Sequence, residues 1–267
     1  MHYSFGNIVD TYKKLGVTKG RTVYITGNFG RLGHYTTKEK TEVFNAHYNA
    51  LMTLLGTSGT IVFPTHSFSL CNTTKPFDLE KTPSETGPFT EHLRRKSGSV
   101  RQLHPYSSST AIGSEANYYC SGNGLHVYDL QSPFHRMVEK EALFLSVGML
   151  PQHSASLVHY VEFMMGVPYR YSKEFTHTCI DHNKVQKKQC FYLHVLYKSL
   201  ALIRDRNKKI FNHYSEKASL YSEPLGRSFV YSFDMRNFVY ITSSLLKNDI
   251  YSWLSTPPKE IERCYRQ

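Results

Sequence analysis

Hydrophobic positions recur along the chain with two periods, and the change from one to the other predicts the order of elements. From Phe5, "FGNIVDTYKKLG" has helical spacing and a glycine stop, after which "TVYITGN" is an apolar run bounded by glycines, a buried strand. In "TTKEKTEVFNAHYNALMTLLG", Phe44, Tyr48, Leu51 and Leu55 follow at helical intervals up to Gly56, and Thr36 with Glu39 has the spacing of a capping box. "GTIVFPT" is the next strand. Strand, helix and strand in this order predict an α/β fold, a central mixed or parallel sheet covered by helices.

Residues 66–87 hold Asn, Thr, Ser, Pro and Gly without periodicity, and a loop of that length in a compact chain is a functional or a mobile one; it is expected to border the site. "PFTEHLRRK" predicts a short helix with Pro88 in its first turn, and the polar segment "RQLHPYSSSTAIG" follows. "SPFHRMVEKE" is another short helix and "ALFLSVG" a central strand. "HSASLVHYVEFMMGVPYR" predicts a helix from about Ser154 to Met165, with Leu157, Val161, Met164 and Met165 as an apolar strip packing inward. The alternating stretch from Phe175 to Tyr197, interrupted by "DHNKVQ", predicts a hairpin. "GRSFVYSFDM" is a last strand and "MRNFVYITSSLLKNDIYSWL" a closing helix with Asp234 near its cap. No repeat or low-complexity linker interrupts the series, so residues 1–267 read as a single domain.

With 267 residues, 40 % of them hydrophobic, the chain can bury a sizeable core. Its first residues lack the charged-then-apolar order of a secretory signal, and the longest apolar run, "ALFLSVGML", is too short to cross a bilayer, which predicts a cytoplasmic protein without membrane insertion. Cys71, Cys120, Cys179, Cys190 and Cys264 are odd in number and scattered, the pattern of free thiols. A formal charge of +11 favours anionic partners, among them nucleic acid, membrane surfaces, nucleotide-sugars and coenzyme A. "GRLG" at residues 30–33 formally matches a KH loop, but that loop joins two helices and here a strand precedes it, so nucleic acid is not the expected partner. His177, Cys179, His182 and Cys190 lack a paired zinc spacing, and no metal is expected.

Residues three apart share one side of a helix, so Ser156, His159 and Glu162 form a row of hydroxyl, imidazole and carboxylate. Such a row can work as a relay in which the carboxylate orients the imidazole and raises its basicity. Polar triplets at helical spacing are also common on solvated faces, where the histidine is merely satisfied, and on this row alone that is the commoner case. The residues alone leave both readings open.

Several motifs, in order, carry a resemblance that weighs on this choice. "SLVHYVE…GVPYR", following "ALFLSVG", resembles the threonine-x-x-histidine-x-x-glutamate segment of the aminoglycoside 3-N-acetyltransferase family, the antibiotic N-acetyltransferases that use acetyl-CoA. "ITGNFGRLG" resembles the family's valine-histidine-serine-serine-leucine-x-x-leucine-glycine turn, and "GTIVFPTHSFS" the glycine-threonine-leucine-x-x-proline strand after it. "TPSETGPFTEHLRRKSGSVRQLHPYSSSTAIG" carries a TPSxxG turn, an arginine-bearing helix and an HPxxSxxAxG segment, and "SPFHRM" completes the series. The resemblance covers roughly residues 5 to 172 and rests on the order of motifs rather than on any one of them. Two departures stand out: Thr26, Gly27 and Asn28 replace the histidine-serine-serine, and Ser156 replaces the threonine.

The resemblance implies a single α/β domain that transfers an acetyl or other short acyl group from acyl-CoA, with no metal. It makes His159 the general base, Glu162 its orienter, and Ser156 a hydrogen-bond partner of the thioester carbonyl or of the departing thiolate. Backbone of Thr26, Gly27, Asn28, Phe29 and Gly30 would approach the pantetheine arm or phosphates, and Arg101, His104, Ser107 and Ser108 would border CoA. Excess Lys and Arg fits anionic CoA and suits a polycationic aminoglycoside less well. The expected acceptor is therefore an amino sugar, nucleotide-linked, of a surface-glycan pathway, in keeping with a hairpin after residue 172 that resembles sugar-biosynthetic members of the family. An aminoglycoside antibiotic is the alternative acceptor; an RNA-binding module or an inactive CoA-binding relic is the alternative of another class. A homodimer is left open.

Overall fold

The computed structural model describes residues 2–36, 39–122, 124–200, 202–203 and 207–258. β1 (His2–Tyr3) leads into α1 (Phe5–Lys14), whose start is fixed by a capping box between Ser4 and Asn7. β2 (Thr22–Gly27) is followed by a 3-10 turn, Phe29–Leu32, and by β3 (His34–Tyr35), which pairs in parallel with β1. That pairing holds the chain extended up to Tyr35, so α2 (Lys40–Leu55) begins later than expected. The capping box at Thr36 does not form: Glu39 is the cap residue and its side chain makes no cap hydrogen bond.

β4 (Thr60–Pro64) and β5 (Phe77–Asp78) precede α3 (Pro88–Arg94), which has its proline in the first turn. The polar segment after it contains two strands, β6 (Val100–Arg101) and β7 (Ser109–Gly113), before α4 (Ala116–Cys120). β7 is buried except at Gly113 although Ser109 and Thr110 bear hydroxyls, and Thr65 hydrogen-bonds both Thr110 and the preceding Ser108 there. α5 (Pro133–Glu139), capped by Ser132, leads to β8 (Leu143–Val147).

The expected helix from Ser154 to Met165 is two pieces, α6 (Pro151–Ser154) and α7 (Leu157–Met164), because Ala155 leaves helical geometry at ψ 89°. Its inward strip is Leu157, Val158, Tyr160 and Val161, all buried, whereas Met164 is exposed. The hairpin, β9 (Arg170–Ile180) with β10 (Gln186–Leu196), starts at Arg170 rather than Phe175. α8 (Lys208–Lys217) and β11 (Tyr221–Leu225) occupy a stretch with no clear sequence pattern. β12 (Ser228–Asp234) and α9 (Met235–Asn248) close the chain, and Asp234 caps α9 by accepting the Asn237 N–H.

Seven strands form one mixed sheet in the order β11-β12-β8-β2-β4-β7-β6. β2 runs parallel to β4 and β8, while β7 and β12 are antiparallel to their inner neighbours. β4 and β8 are buried along their whole length, as strands covered on both faces must be. Alternate residues divide the core. Val23, Ile25, Ile61 and Phe63 pack with α1, α2 and α3, whereas Tyr24, Val62 and Phe144 pack with α5, α7, α8, α9 and the hairpin. A second sheet, β10-β9-β5, lies on that latter side.

No helix among the described residues is long and apolar enough to cross a membrane. Cys71, Cys120, Cys179 and Cys190 are free thiols, and Cys264 lies outside the described residues.

Candidate active site

The carboxyl ends of β2, β4 and β8 open onto one edge of the sheet, the position at which open α/β sheets receive ligands. There Thr26 and Gly27 lie in register with Ser146 and Val147. Gly27 has φ 136°, and a Cβ on it would meet the Val147 carbonyl oxygen at 2.1 Å; one on Gly148 would meet the Asn28 oxygen at 2.3 Å. Only glycine allows the loops after β2 and β8 to pack this closely. Ser146 then anchors α6, its Oγ donating to the Met149 oxygen at 2.7 Å and lying 2.7 Å from Ser154 Oγ.

Ser156 occupies the cap position of α7; its carbonyl accepts the His159 N–H at 3.0 Å, and its hydroxyl makes no hydrogen bond among the described residues. Glu162, one turn on from His159, is fully buried and held on both oxygens. Oε2 lies 2.7 Å from His159 Nδ1 and 2.7 Å from Arg170 Nε, and Oε1 accepts from the Tyr169 hydroxyl at 3.2 Å. Arg170 also donates through Nη1 to the His194 carbonyl at 3.0 Å, and its Nη2 lies 3.1 Å from His159 Nδ1.

A carboxylate only accepts, so the short contact to Glu162 requires the proton of His159 on Nδ1. Nε2 then carries the lone pair. The nearby guanidinium acts on Nδ1–H as a charge, not as a donor, and opposes the stabilisation that Glu162 gives to an imidazolium. A buried carboxylate is tolerable here because a cation and a hydroxyl partner it.

His159 is the accessible imidazole of its group, its side chain 33 % exposed. Burial pushes His194 down to about 3, with the Arg170 charge adding to it, and pushes His126 down to about 4, so both are neutral across the physiological range.

A cavity of ≈ 540 Å³ lies beside the β2 loop, lined by Gly27, Asn28, Phe29 and Gly30 on one wall and by Thr86, Gly87 and Phe89 on the other. Phe29 and Phe89 stack with centroids 3.9 Å apart. Thr86 and Gly87 bring the far end of the loop 66–87 to this cavity, and the loop is not structureless, since β5 lies within it. Phe29, Phe44 and Phe89 belong to the α1–α3 side of the sheet, and α7 belongs to the other. Any ligand that touches both the cavity and His159 must cross the end of β2. Thr26 has the parity of Tyr24 and faces the α7 side.

Arg101, His104, Ser107 and Ser108 are buried and do not line this cavity. Arg101 donates to the Thr82 oxygen at 2.5 Å, the Thr65 oxygen at 2.7 Å and Ser108 Oγ at 3.0 Å, tying the 82–87 turn to β4. His104 Nδ1 accepts the Ser107 N–H at 3.1 Å, and burial pushes its imidazole down to about 3.

Sequence reasoning gave no role to Tyr169 and Arg170, which complete the carboxylate's surroundings. The available signal was a tyrosine and an arginine directly after the apolar turn "GVP". Gly30 to Gly33 form part of a 3-10 turn between β2 and β3, which is not a helix-to-helix KH loop. His177 and Cys179 are buried hairpin positions, and His177 Nε2 lies 3.0 Å from the Lys75 oxygen. Among the described residues, no group of three or more His, Cys, Asp or Glu side chains could hold a metal ion.

A family model described as aminoglycoside 3-N-acetyltransferase matches residues 28–247. No curated protein matches the sequence. Among solved structures, the aminoglycoside acetyltransferase AAC(3)-Xa is 18 % identical and superposes with a TM-score of 0.79 over 92 % of this chain and 93 % of its own. AAC-IIIb in its binary complex with CoASH is 16 % identical, with a TM-score of 0.78 over 97 % of this chain and 100 % of its own. The YokD protein from Bacillus subtilis is 17 % identical, with a TM-score of 0.74 over 94 % and 95 %. At these identities the likeness is one of fold.

Proposed function

Since the chain belongs to the aminoglycoside 3-N-acetyltransferase family, an acyl-CoA-dependent transferase family, we propose that residues 1–267 act as one domain that moves an acetyl or other short acyl group from acyl-CoA to the amine of an amino sugar. The observation that supports this reading is the hydrogen bond from accessible His159 to fully buried Glu162, a carboxylate that Arg170 and Tyr169 hold in turn.

Bound acyl-CoA supplies the thioester, and its thiol is the leaving group. An ammonium cannot attack that carbonyl, so His159 Nε2 takes the amine's proton as the carbon–nitrogen bond forms. Glu162 fixes the tautomer and stabilises the imidazolium. His159 returns the proton to the departing sulfur as the carbon–sulfur bond breaks, and Ser156 holds the thioester carbonyl through its hydroxyl. Direct transfer needs no acyl-serine intermediate. The 540 Å³ cavity, with the backbone of Gly27 to Gly30 at its edge, fits the nucleotide end of CoA, while Thr26 faces the α7 side. Arg101, braced by Ser108, then serves CoA indirectly by holding the 82–87 turn in place, and His104 with Ser107 holds the segment between Arg101 and Ser108.

The acceptor is a neutral or anionic amino sugar, nucleotide-linked. Two observations support this over a polycationic aminoglycoside: the formal charge of +11, and a Pro151–Met164 segment whose carboxylate, Glu162, is buried against Arg170. The test is a panel of amine acceptors with acetyl-CoA and free thiol as readout. Thiol release should depend on the acceptor and be fastest with a nucleotide-linked 4-amino-deoxy sugar. Faster release with gentamicin-type acceptors would overturn the acceptor assignment. No release with any acceptor, together with no CoA binding, would overturn the transferase reading.

A further inference from the structure

A cavity of ≈ 760 Å³ lies between β6, the end of α3, α4 and the tip of the β9–β10 hairpin. It shares no lining residue with the cavity beside Gly27. β9 leaves the catalytic cluster at Arg170 and arrives here at Ile180, a strand of about 33 Å at ~3.3 Å per residue. The cavity is therefore remote from His159.

Its charge is unbalanced. Arg94, Arg95, Lys96 and Arg101 line it against Glu80 and Asp181. Glu80 is paired with Lys184, and just outside the lining a single carboxylate, Glu91, serves both Arg94 and Arg95. Lys96 is anchored on Asn45. Arg94 and Arg101 are each only 7 % exposed. Every hydrogen-bond partner of Arg101 is neutral, and no carboxylate pairs with it among the described residues. Burial and then the neighbouring Arg94 charge push the Arg101 guanidinium down to about 9, and Glu91, which already serves Arg94 and Arg95, opposes this only in part. A buried cation with no carboxylate paired directly to it is costly, and an anion in the adjoining cavity relieves that cost.

We propose that this cavity binds phosphate, as the free ion or as the terminal group of a small phosphorylated metabolite, independently of acyl-CoA. Guanidinium forks match phosphate oxygens in pairs, and Arg95, its side chain 69 % exposed, can turn one toward the ligand while Arg94 and Arg101 supply fixed charge beneath. The Asn117 side-chain amide and the Gly122 backbone add neutral polar groups to the lining. The volume exceeds that of a lone phosphate, which favours the monoester.

Calorimetric titration with inorganic phosphate at fixed ionic strength tests this, with the protein free and saturated with CoA. Saturable binding of equal affinity in both states is expected, with chloride producing no such signal. Arg95→Gln, which removes a donor, and Asn117→Asp, which places a carboxylate in the cavity from an exposed position on α4, should each weaken phosphate at least about tenfold. Glucose 1-phosphate separates the two sources: it binds more tightly than inorganic phosphate if the ligand is a monoester, and no better if it is the free ion. The proposal is overturned if phosphate does not bind, if CoA displaces it, or if Asn117→Asp binds it as the parent does.

Discussion

Glu162→Gln keeps the shape of the side chain and removes a fully buried charge that faces Arg170 at 2.7 Å and His159 at 2.7 Å. Arg170, its side chain 6 % exposed, is then a buried cation beside a neutral amide. Breaking a buried pair from one side costs about 3–5 kcal/mol. At ~2–4 °C per kcal/mol for a chain of this size, the melting temperature should fall by roughly 6–20 °C. Arg170→Met should destabilise by a similar amount, because it strands the carboxylate. The double variant strands neither and should be no less stable than the worse single. The assay is a double-mutant cycle on denaturant midpoints at constant m. Single effects that add to within ~0.5 kcal/mol would refute the claim that Glu162 and Arg170 form one unit. In the same Glu162→Gln protein the acid limb of the pH–rate profile should move to lower pH, since the charge that favours the imidazolium is gone.

Gly27→Ser, which restores the family's residue, should cost more than 2 kcal/mol through a strained φ and a Cβ 2.1 Å from the Val147 oxygen, read as a lowered melting temperature; an unchanged one contradicts the packing of the two loops. Burial lowers His47 and His104 to about 3 and His66 to about 4. The unfolded chain therefore binds more protons, and stability should be full above about pH 6.5 and decline as the pH falls toward 3, measured as urea midpoints across that range. His47→Phe should flatten that slope. Asp234→Ala removes the cap of α9 and should cost about 1 kcal/mol without changing CoA affinity.

The layered fold was legible because its central strands announce themselves. "TVYITG", "TIVFP" and "LFLSV" are apolar runs with glycines nearby, and each is an inner strand of the sheet. β7 was not legible, because its burial rests on hydroxyls of Thr65, Ser108 and Thr110 satisfying one another, a tertiary fact that makes a polar stretch compatible with the core. The break at Ala155 was hidden for a related reason: residues on both sides favour helix, and the turn is set by Ser146 gripping Ser154 and Met149 across the loop. The row His159–Glu162 was readable from spacing alone. Its burial was not, since Arg170, which makes a buried carboxylate tolerable, lies in another element. Arg101 and Ser108 were singled out as polar residues near CoA; their bracing of the chain just after β4 was not legible, because their partner Thr65 is distant in sequence.

The central claim is that His159 accepts the acceptor's proton. The most direct measurement is the single-turnover rate of acyl transfer by His159→Ala with acyl-CoA saturating, alongside CoA affinity by calorimetry. A positioned base is worth about two to four powers of ten, so the rate should fall by that factor while CoA affinity stays within about twofold. A folded His159→Ala protein that transfers the acyl group at the parental rate would contradict the account.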